Sequence, residues 1–392
     1  MTTEHTIHPK LLWAEVNTDA IAHNIRQLKA RLAPDVNLMA VVKADGYGHG
    51  AVPCARTALA NGASFLGVAR IEEAITLRRA GIAAPILIFG YTPPDMTGIL
   101  LTHQLHQTVY NLETARAYST LADQQRKKLA VHVKIDTGMG RLGFPVSAQS
   151  PNNAELGQSI RAISALRGIH LTGLSTHFAA ADRPHEPMAR EQLLKFKQIT
   201  EELAFNRLNI NHVHAANSAA LITLPEAHFN MVRPGIAIYG LSPFDTVPSY
   251  GIKLRPAMTL KSRIVQLKTV SSGTPVSYGA TWRAKKMTRI ATIPIGYADG
   301  YRRNLSSVGK MLVKGQEAPV AGRVCMDFTM LDVGHIPNVQ TGDEVVVFGK
   351  QHDTVLSANS LARQLGTINY EITAALTARI PKVYVQDNPL WE

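Results

Sequence analysis

Cysteine is scarce in this chain: Cys54 and Cys325 are the two among 392 residues. That excludes a disulfide-held scaffold and a zinc site built from cysteine alone, and no metal-ligand pattern is read elsewhere. Reduced thiols and a cytoplasmic setting are the expectation. Long hydrophobic runs are also missing. The longest, Ile82–Phe89, falls far short of the roughly 20 residues that cross a bilayer. Met1–Lys10 carries acid, histidine and proline where a secretory leader would carry an apolar run. Acidic residues are the minority, 29 against 41 basic, for a net charge of +12. Such a balance attracts anions. The basic clusters, however, are short and lack interleaved aromatics (Arg126–Lys128, Arg283 with Lys285 and Lys286, Arg302–Arg303). Neither nucleic acid nor membrane is therefore predicted as a partner. With 45% hydrophobic and 18% charged residues, a disordered chain is excluded.

What is present has a period. Short apolar, β-branched runs alternate with longer amphipathic stretches. The runs are Val36–Val42, Ser64–Val68, Pro85–Phe89, His106–Val109, Ala130–Ile135, Leu171–Thr176, His212–His214 and Phe229–Ile238. Glu72–Ala80, Leu112–Lys128 and Pro187–Phe205 read as helices between them. Eight strand-then-helix units in this length predict an α/β fold, a closed (β/α)8 TIM-type barrel over residues 10–243. An open doubly wound sheet is the alternative, disfavoured because no G-x-G-x-x-G follows the first strand. After Ser242-Pro243 and Pro248 the texture turns to short strands divided by glycine and proline. A mainly β domain is expected over 244–392, with residues 1–9 able to pack against it.

The ends of the barrel runs carry the chemistry-bearing residues. Lys43 follows the first run and precedes Asp45-Gly46-Tyr47-Gly48. A lysine at the C-terminal rim is partly desolvated, which frees its amine for a Schiff base. Lys134 and Arg141 flank the fifth run, His177 ends the sixth, Asn217-Ser218 follow the seventh, and Arg233-Pro234-Gly235-Ile236 interrupt the eighth. Each has a plainer reading alone: a lysine reaching to solvent, a satisfied core histidine. Together, on one rim, they are what a barrel active site requires. Ser218 and the backbone N–H groups at Gly235 and Ile236 make a phosphate seat. A lysine for an imine beside a phosphate seat suggests pyridoxal phosphate.

On these residues the chain resembles the bacterial alanine racemases. The matching motifs run in family order from Ala40–Gly50 through KIDTGMGRLG (134–143), STHF (175–178), HAANSA (214–219) and MVRPGIAIYG (231–240). They continue with VSYGATW (276–282), GYADG (296–300), GRVCMD (322–327) and INYEI (368–372). The resemblance implies pyridoxal 5'-phosphate held by Lys43, with its phosphate met by Tyr47, Ser218, Gly235, Ile236 and Tyr370. It implies Arg233 at the ring nitrogen, with His177 and Asn217 among the cofactor contacts. It implies Lys43 and Tyr278 as bases on opposite faces of the substrate, and Arg141 and Met326 at its carboxylate. Tyr297 would gate the entrance, and Lys134 is a candidate for carbamylation. It also implies a homodimer in which Tyr278 serves the other chain's Lys43, and supply of D-alanine for peptidoglycan. Asp45-Gly46 departs from the Asn-Ala of many relatives. A racemase of broader specificity, a decarboxylase of the same fold, and a pyridoxal-phosphate carrier without the β domain are the rival readings. Arginine at position 233, Tyr278 and the long β region argue against the last two.

Overall fold

The computed structural model describes residues 10–146, 154–183, 185–205, 208, 210–244 and 250–386. Pro248 of the expected linker, residues 1–9 and the chain end beyond 386 lie outside them. The chain forms two compact units. One runs from Ala20 to Arg255; the other joins the segment ending at Asp19 to the chain from Pro256 onward.

In the first unit each of the eight expected runs overlaps a strand: Asn37–Val41, Phe65–Val68, Ile86–Ile88, His106–Val109, Leu129–Asp136, Ile169–Ser175, His212–His214 and Met231–Val232. The last run, expected over Phe229–Ile238, is strand only at those two residues and turns into a short 3-10 helix at Ile236–Tyr239. Each strand pairs in parallel with its neighbours, and His106–Val109 also pairs with Leu129–Asp136, so the sheet closes into a barrel. Helices such as Ile71–Arg79, Leu112–Gln124 and Met188–Phe205 connect them. Parallel strands align their C-terminal ends on one rim, so Lys43, His177, Ser218 and Arg233 follow strands at the same end. Inside, Met39, Phe65, Leu87 and Met231 pack together. A layer of histidines shares this interior: the rings of His106, His132 and His212 lie 5.1–5.9 Å from Phe65. Gly173 makes room for it, since a Cβ there would sit 2.2 Å from the His132 ring.

The second unit is mainly β. A seven-stranded sheet runs Gln316–Pro319, Lys310–Val313, Glu344–Gln351, Met258–Arg263, Leu12–Asn17, Lys382–Val385, with Thr354–Leu356 on the side. A three-stranded sheet joins Gln266–Val270, Thr288–Ile293 and Thr329–Asp332, and a hairpin joins Pro275–Val276 to Trp282–Arg283. The expected boundaries shift here. Leu12–Asn17 does not open the barrel. It pairs antiparallel with Met258–Arg263 and parallel with Lys382–Val385, partners about 250 and 370 residues away that local pattern cannot reveal. The barrel unit also extends to Arg255 and not to 243. Met258–Arg263 and Gln266–Val270 are separate strands of different sheets, divided at Ile264-Val265. Val320–Val324 is loop apart from a bridge between Val320 and Leu331.

Candidate active site

Lys43 sits where the chain leaves strand Asn37–Val41 and enters an uncommon turn. Ala44, Asp45, Gly46, Tyr47 and Gly48 all have positive φ, from 51° to 85°. For Ala44, Asp45 and Tyr47 this left-handed region costs about 1–2 kcal/mol each. Such strain persists only where surrounding bonds impose it. The Glu73 carboxylate accepts the Ala44 N–H at 2.6 Å, and Asp45 Oδ1 accepts the Ala51 N–H at 2.8 Å. The turn leaves the Lys43 Nζ 6.0 Å from the Tyr47 ring centroid. Burial, then the Arg141 charge, lower the Lys43 pKa, with Glu73 opposing. That is the environment an amine needs to act as nucleophile or base.

Tyr47 turns its hydroxyl toward Gly235, where a Cβ would lie 2.5 Å from it. Burial raises its pKa, so the phenol keeps its proton as a donor. Ser218 Oγ accepts from the N–H of Gly235 at 2.9 Å and of Ala237 at 3.3 Å. Asn217 caps Ser218–Thr223 by accepting the Ala220 N–H at 3.0 Å. Tyr47, Ser218 and Gly235 thus meet in one small buried cradle lined by two hydroxyls, and Ile236, next in the chain, is buried with them.

Arg233 is 6% exposed and holds its charge on neutral partners. It donates to His214 Nδ1 (2.8 Å), to the carbonyls of Thr176 (2.8 Å) and Ala215 (3.0 Å), and lies 3.3 Å from His177 Nδ1. Burial, then Arg141, lower its pKa to about 9, which leaves it a cation at neutral pH. An arginine can only donate, so His214 Nδ1 accepts and its proton rests on Nε2. His214 Nε2 stands 2.8 Å from His132 Nδ1, and His132 Nε2 3.2 Å from His106 Nδ1. One direction of donation therefore runs from Arg233 down the barrel. Burial lowers the pKa of all three rings, and each stays neutral.

Lys134 is half-buried at the end of its strand, its pKa lowered to about 8 by burial and by Arg141 and Arg233. Asp136 Oδ1 accepts the N–H groups of Gly138, Met139 and Gly140, which shapes the loop carrying Arg141. Gln192, from helix Met188–Phe205, is buried and donates to Thr137 Oγ1 and to the His177 carbonyl. Sequence reasoning missed Gln192, Glu73 and the roles of His132 and His106. A polar residue on a helix, or a histidine inside a strand, carries no local mark of what it faces.

Tyr278, Tyr297, Met326 and Tyr370 belong to the β unit. Tyr278 sits at the tip of the short hairpin, between Ser277 (φ 66°) and Gly279 (φ 72°). Ser277 Oγ donates to the Arg323 carbonyl at 2.6 Å. Tyr297 and Ala298 donate their N–H groups to the carbonyls of Cys325 and Met326. The strip Gly322–Asp327 thereby brings the Tyr278, Met326 and Tyr297 turns together. A Cβ on Gly296 would lie 2.2 Å from the Met326 carbonyl oxygen, so this approach requires glycine. Tyr370 lies in helix Asn369–Ala374, whose Glu371 pairs with Arg302 at 2.6 Å.

A closed parallel barrel with a desolvated lysine, a hydroxyl-lined cradle and a buried arginine on one rim, in a chain that also carries a β domain, defines a class: a two-domain barrel enzyme built around a reactive amine. The family follows from comparison with known proteins. Residues 16–243 match the family model "Alanine racemase, N-terminal domain" and residues 257–384 match "Alanine racemase, C-terminal domain". The chain belongs to the alanine racemase family. It is 46% identical over 374 residues to the alanine racemase of Desulforamulus reducens, covering 95% of this chain and 99% of that one. Among solved structures, alanine racemase from Clostridium difficile superposes with a TM-score of 0.90 at 39% identity, covering 97% of each chain. That of Bacillus anthracis, solved with bound L-Ala-P, superposes with 0.89 at 37% identity over 97% of this chain and 96% of that one.

Proposed function

We propose that this chain interconverts L-alanine and D-alanine with pyridoxal 5'-phosphate, supplying D-alanine for peptidoglycan. The observation that carries the reading is Lys43, a desolvated amine beside the Tyr47–Ser218–Gly235 cradle, in a chain of this family. The cradle fits the cofactor: it offers a hydroxyl, bare backbone and the space a Cβ would fill, which suits a phosphate. Asn217 and His177 line the same rim, and Tyr370 is the phosphate contact assigned to the β unit. When bound, the cofactor withdraws electrons from Cα of the amino acid joined to it and makes that C–H acidic.

The chain's own residues then decide the outcome. Lys43 Nζ takes or returns the proton on one face of Cα, and Tyr278 Oη does so on the other. One proton leaves and one returns, so the reaction is redox-neutral. Arg233, cationic and held by neutral imidazoles, can only donate to the ring nitrogen. With the cofactor bound, Arg233 would leave that nitrogen unprotonated, which would limit electron withdrawal and suppress side reactions. Arg141 and the Met326 backbone hold the substrate carboxylate, and Tyr297 narrows the entrance. The lowered pKa of Lys134 supplies free amine to capture carbon dioxide, and Arg141 and Arg233 would steady the resulting carbamate.

Tyr278 is 69% exposed. A base must face its substrate, and we assign Tyr278 to the barrel of a second copy, in a homodimer with shared sites. Both cysteines are free thiols, in keeping with a cytoplasmic enzyme. Among the described residues no helix is long and apolar enough to cross a membrane. The test is direct. The purified protein should be yellow, absorbing near roughly 420 nm as protonated pyridoxal imines do. Circular dichroism should decay to zero from either alanine enantiomer. Borohydride should fix the cofactor on the peptide holding Lys43; fixation at another lysine would overturn the assignment.

A further inference from the structure

The turn that follows Lys43 is held by a residue to which the sequence analysis gave no role. Glu73 lies in the first turn of helix Ile71–Arg79, which follows the next barrel strand, Phe65–Val68. One carboxylate oxygen accepts the Ala44 N–H at 2.6 Å. The other accepts the N–H of Ala69 at 2.7 Å and of Arg70 at 3.1 Å. A single carboxylate thus ties two adjacent strand ends together, one of which carries the lysine. We propose that Glu73 is a positioning residue for Lys43, clamping the left-handed turn at Ala44 that aims the lysine and placing a fixed negative charge beside its amine.

The bonds give the clamp its direction. The Ala44 amide is the first after Lys43, and Ala44 begins the run of positive φ. A carboxylate is acceptor-only and can take several N–H groups on its two oxygens; bonds of this charge-assisted kind are about twice as strong as neutral ones. A glutamine has one accepting oxygen and would turn an N–H2 toward an N–H. The charged and titratable groups facing Lys43 are Glu73, Arg141, Lys134 and His177, with the Tyr47 ring alongside. Of the charges acting on the Lys43 amine, Arg141 disfavours its protonated form and Glu73 opposes that effect. Removing its charge should make the Lys43 amine easier to deprotonate.

The proposal rests on the racemase reading, and the experiment separates the two. In full-length Glu73→Gln, residue-resolved hydrogen exchange at the Ala44 amide should quicken by about tenfold or more, because the amide loses its charged acceptor. The Lys43-dependent limb of the pH profile of kcat, which reports the substrate complex in which the Lys43 amine is free, should move to lower pH by on the order of half a unit to one unit. Glu73→Asp keeps the charge but shortens the reach. It should restore the limb while leaving Ala44 exchange fast, a split that a merely structural role would not produce. Unchanged Ala44 exchange in Glu73→Gln, or a limb that stays put in both variants, would overturn the clamp. Should Glu73→Gln not fold, unchanged Ala44 exchange in Glu73→Asp would do so alone. Failure of the racemase reading shows separately, as wild-type protein without colour or racemisation, and the exchange measurement still judges the clamp.

Discussion

In the barrel, Arg233 is 6% exposed and its guanidinium meets four acceptors. In the β domain, Tyr278 is 69% exposed, Met326 54% and Tyr297 42%. The two regions hold residues of one proposed site in opposite states. Barrel residues are buried by strands that close on themselves, and their charges are tuned by desolvation. Those of the β domain are fixed at the backbone, through Ser277 and the strip Gly322–Asp327, yet their side chains face outward. Exposed aromatic and methionine side chains on a rigid support are characteristic of an interface awaiting its partner surface. The barrel holds preorganised polar groups, and the β domain presents exposed side chains that the proposed homodimer would bury.

The comparison breaks most visibly at the two proposed bases. Lys43→Ala and Tyr278→Phe should each lower racemisation by about 10²- to 10⁴-fold, the usual weight of a positioned acid–base group. Tyr278→Phe should still exchange the α-proton of D-alanine, which Lys43 serves, while losing exchange from L-alanine. Mixing the two variants after dissociation should restore roughly a quarter of the activity, because half the dimers are mixed and one of their two sites is intact. No recovery after demonstrated subunit exchange would place both bases in one chain.

Acid should separate the regions next. His106, His132, His177 and His214 all have folded pKa values below the ordinary 6.5, that of His106 at about 4, with burial the first cause. In the unfolded chain each binds a proton below about 6.5. Between 6.5 and the folded values the unfolded state binds more protons, so stability is full above pH 6.5 and is lost as pH falls. Each histidine adds a slope of up to about 1.4 kcal/mol per pH unit. Hydrogen exchange at pH 5.5 should therefore open barrel peptides before those of the β sheets. Equal opening in both units would show that the histidine layer is not the weak point. A smaller effect of the same origin is expected from Gly173→Ala, whose Cβ would press on His132. Overpacking of this kind costs about 1–3 kcal/mol, and urea unfolding would measure it.

The barrel was legible because parallel strands are buried on both faces and read as apolar runs, and because rim residues fall at the ends of those runs. Lys43, His177, Ser218 and Arg233 could be placed on one rim from that alone. The β domain was less legible. Its main sheet recruits Leu12–Asn17 from the far end of the chain, and pairing across such distance leaves no periodic trace. Tyr278 in isolation was an ordinary strand aromatic; only the resemblance singled it out, and the structure puts it at a hairpin tip. Glu73 and the His214–His132–His106 line stayed hidden because their meaning is a contact between strands.

The finest comparison uses one kind of bond in both regions. Asn217 in the barrel and Ser357 in the β domain are N-caps: Asn217 Oδ1 accepts the Ala220 N–H at 3.0 Å, and Ser357 Oγ accepts the Ser360 N–H at 3.1 Å. Replacing either with alanine leaves one helix-end donor unsatisfied and should cost about 1 kcal/mol. That corresponds to a fall of about 2–4 °C in the midpoint of a domain this size. Activity should tell them apart. Asn217 precedes Ser218, whose Oγ accepts from Gly235 and Ala237 in the cradle, so a loosened cap there disturbs the proposed phosphate seat. Ser357 begins helix Ala358–Leu365, which contributes none of the proposed site residues. Asn217→Ala should release cofactor faster on dilution, read from the decay of visible absorbance, whereas Ser357→Ala should match the wild type. Equal cofactor retention in the two variants, at equal loss of stability, would detach the cap from the site and leave Asn217 a purely structural residue.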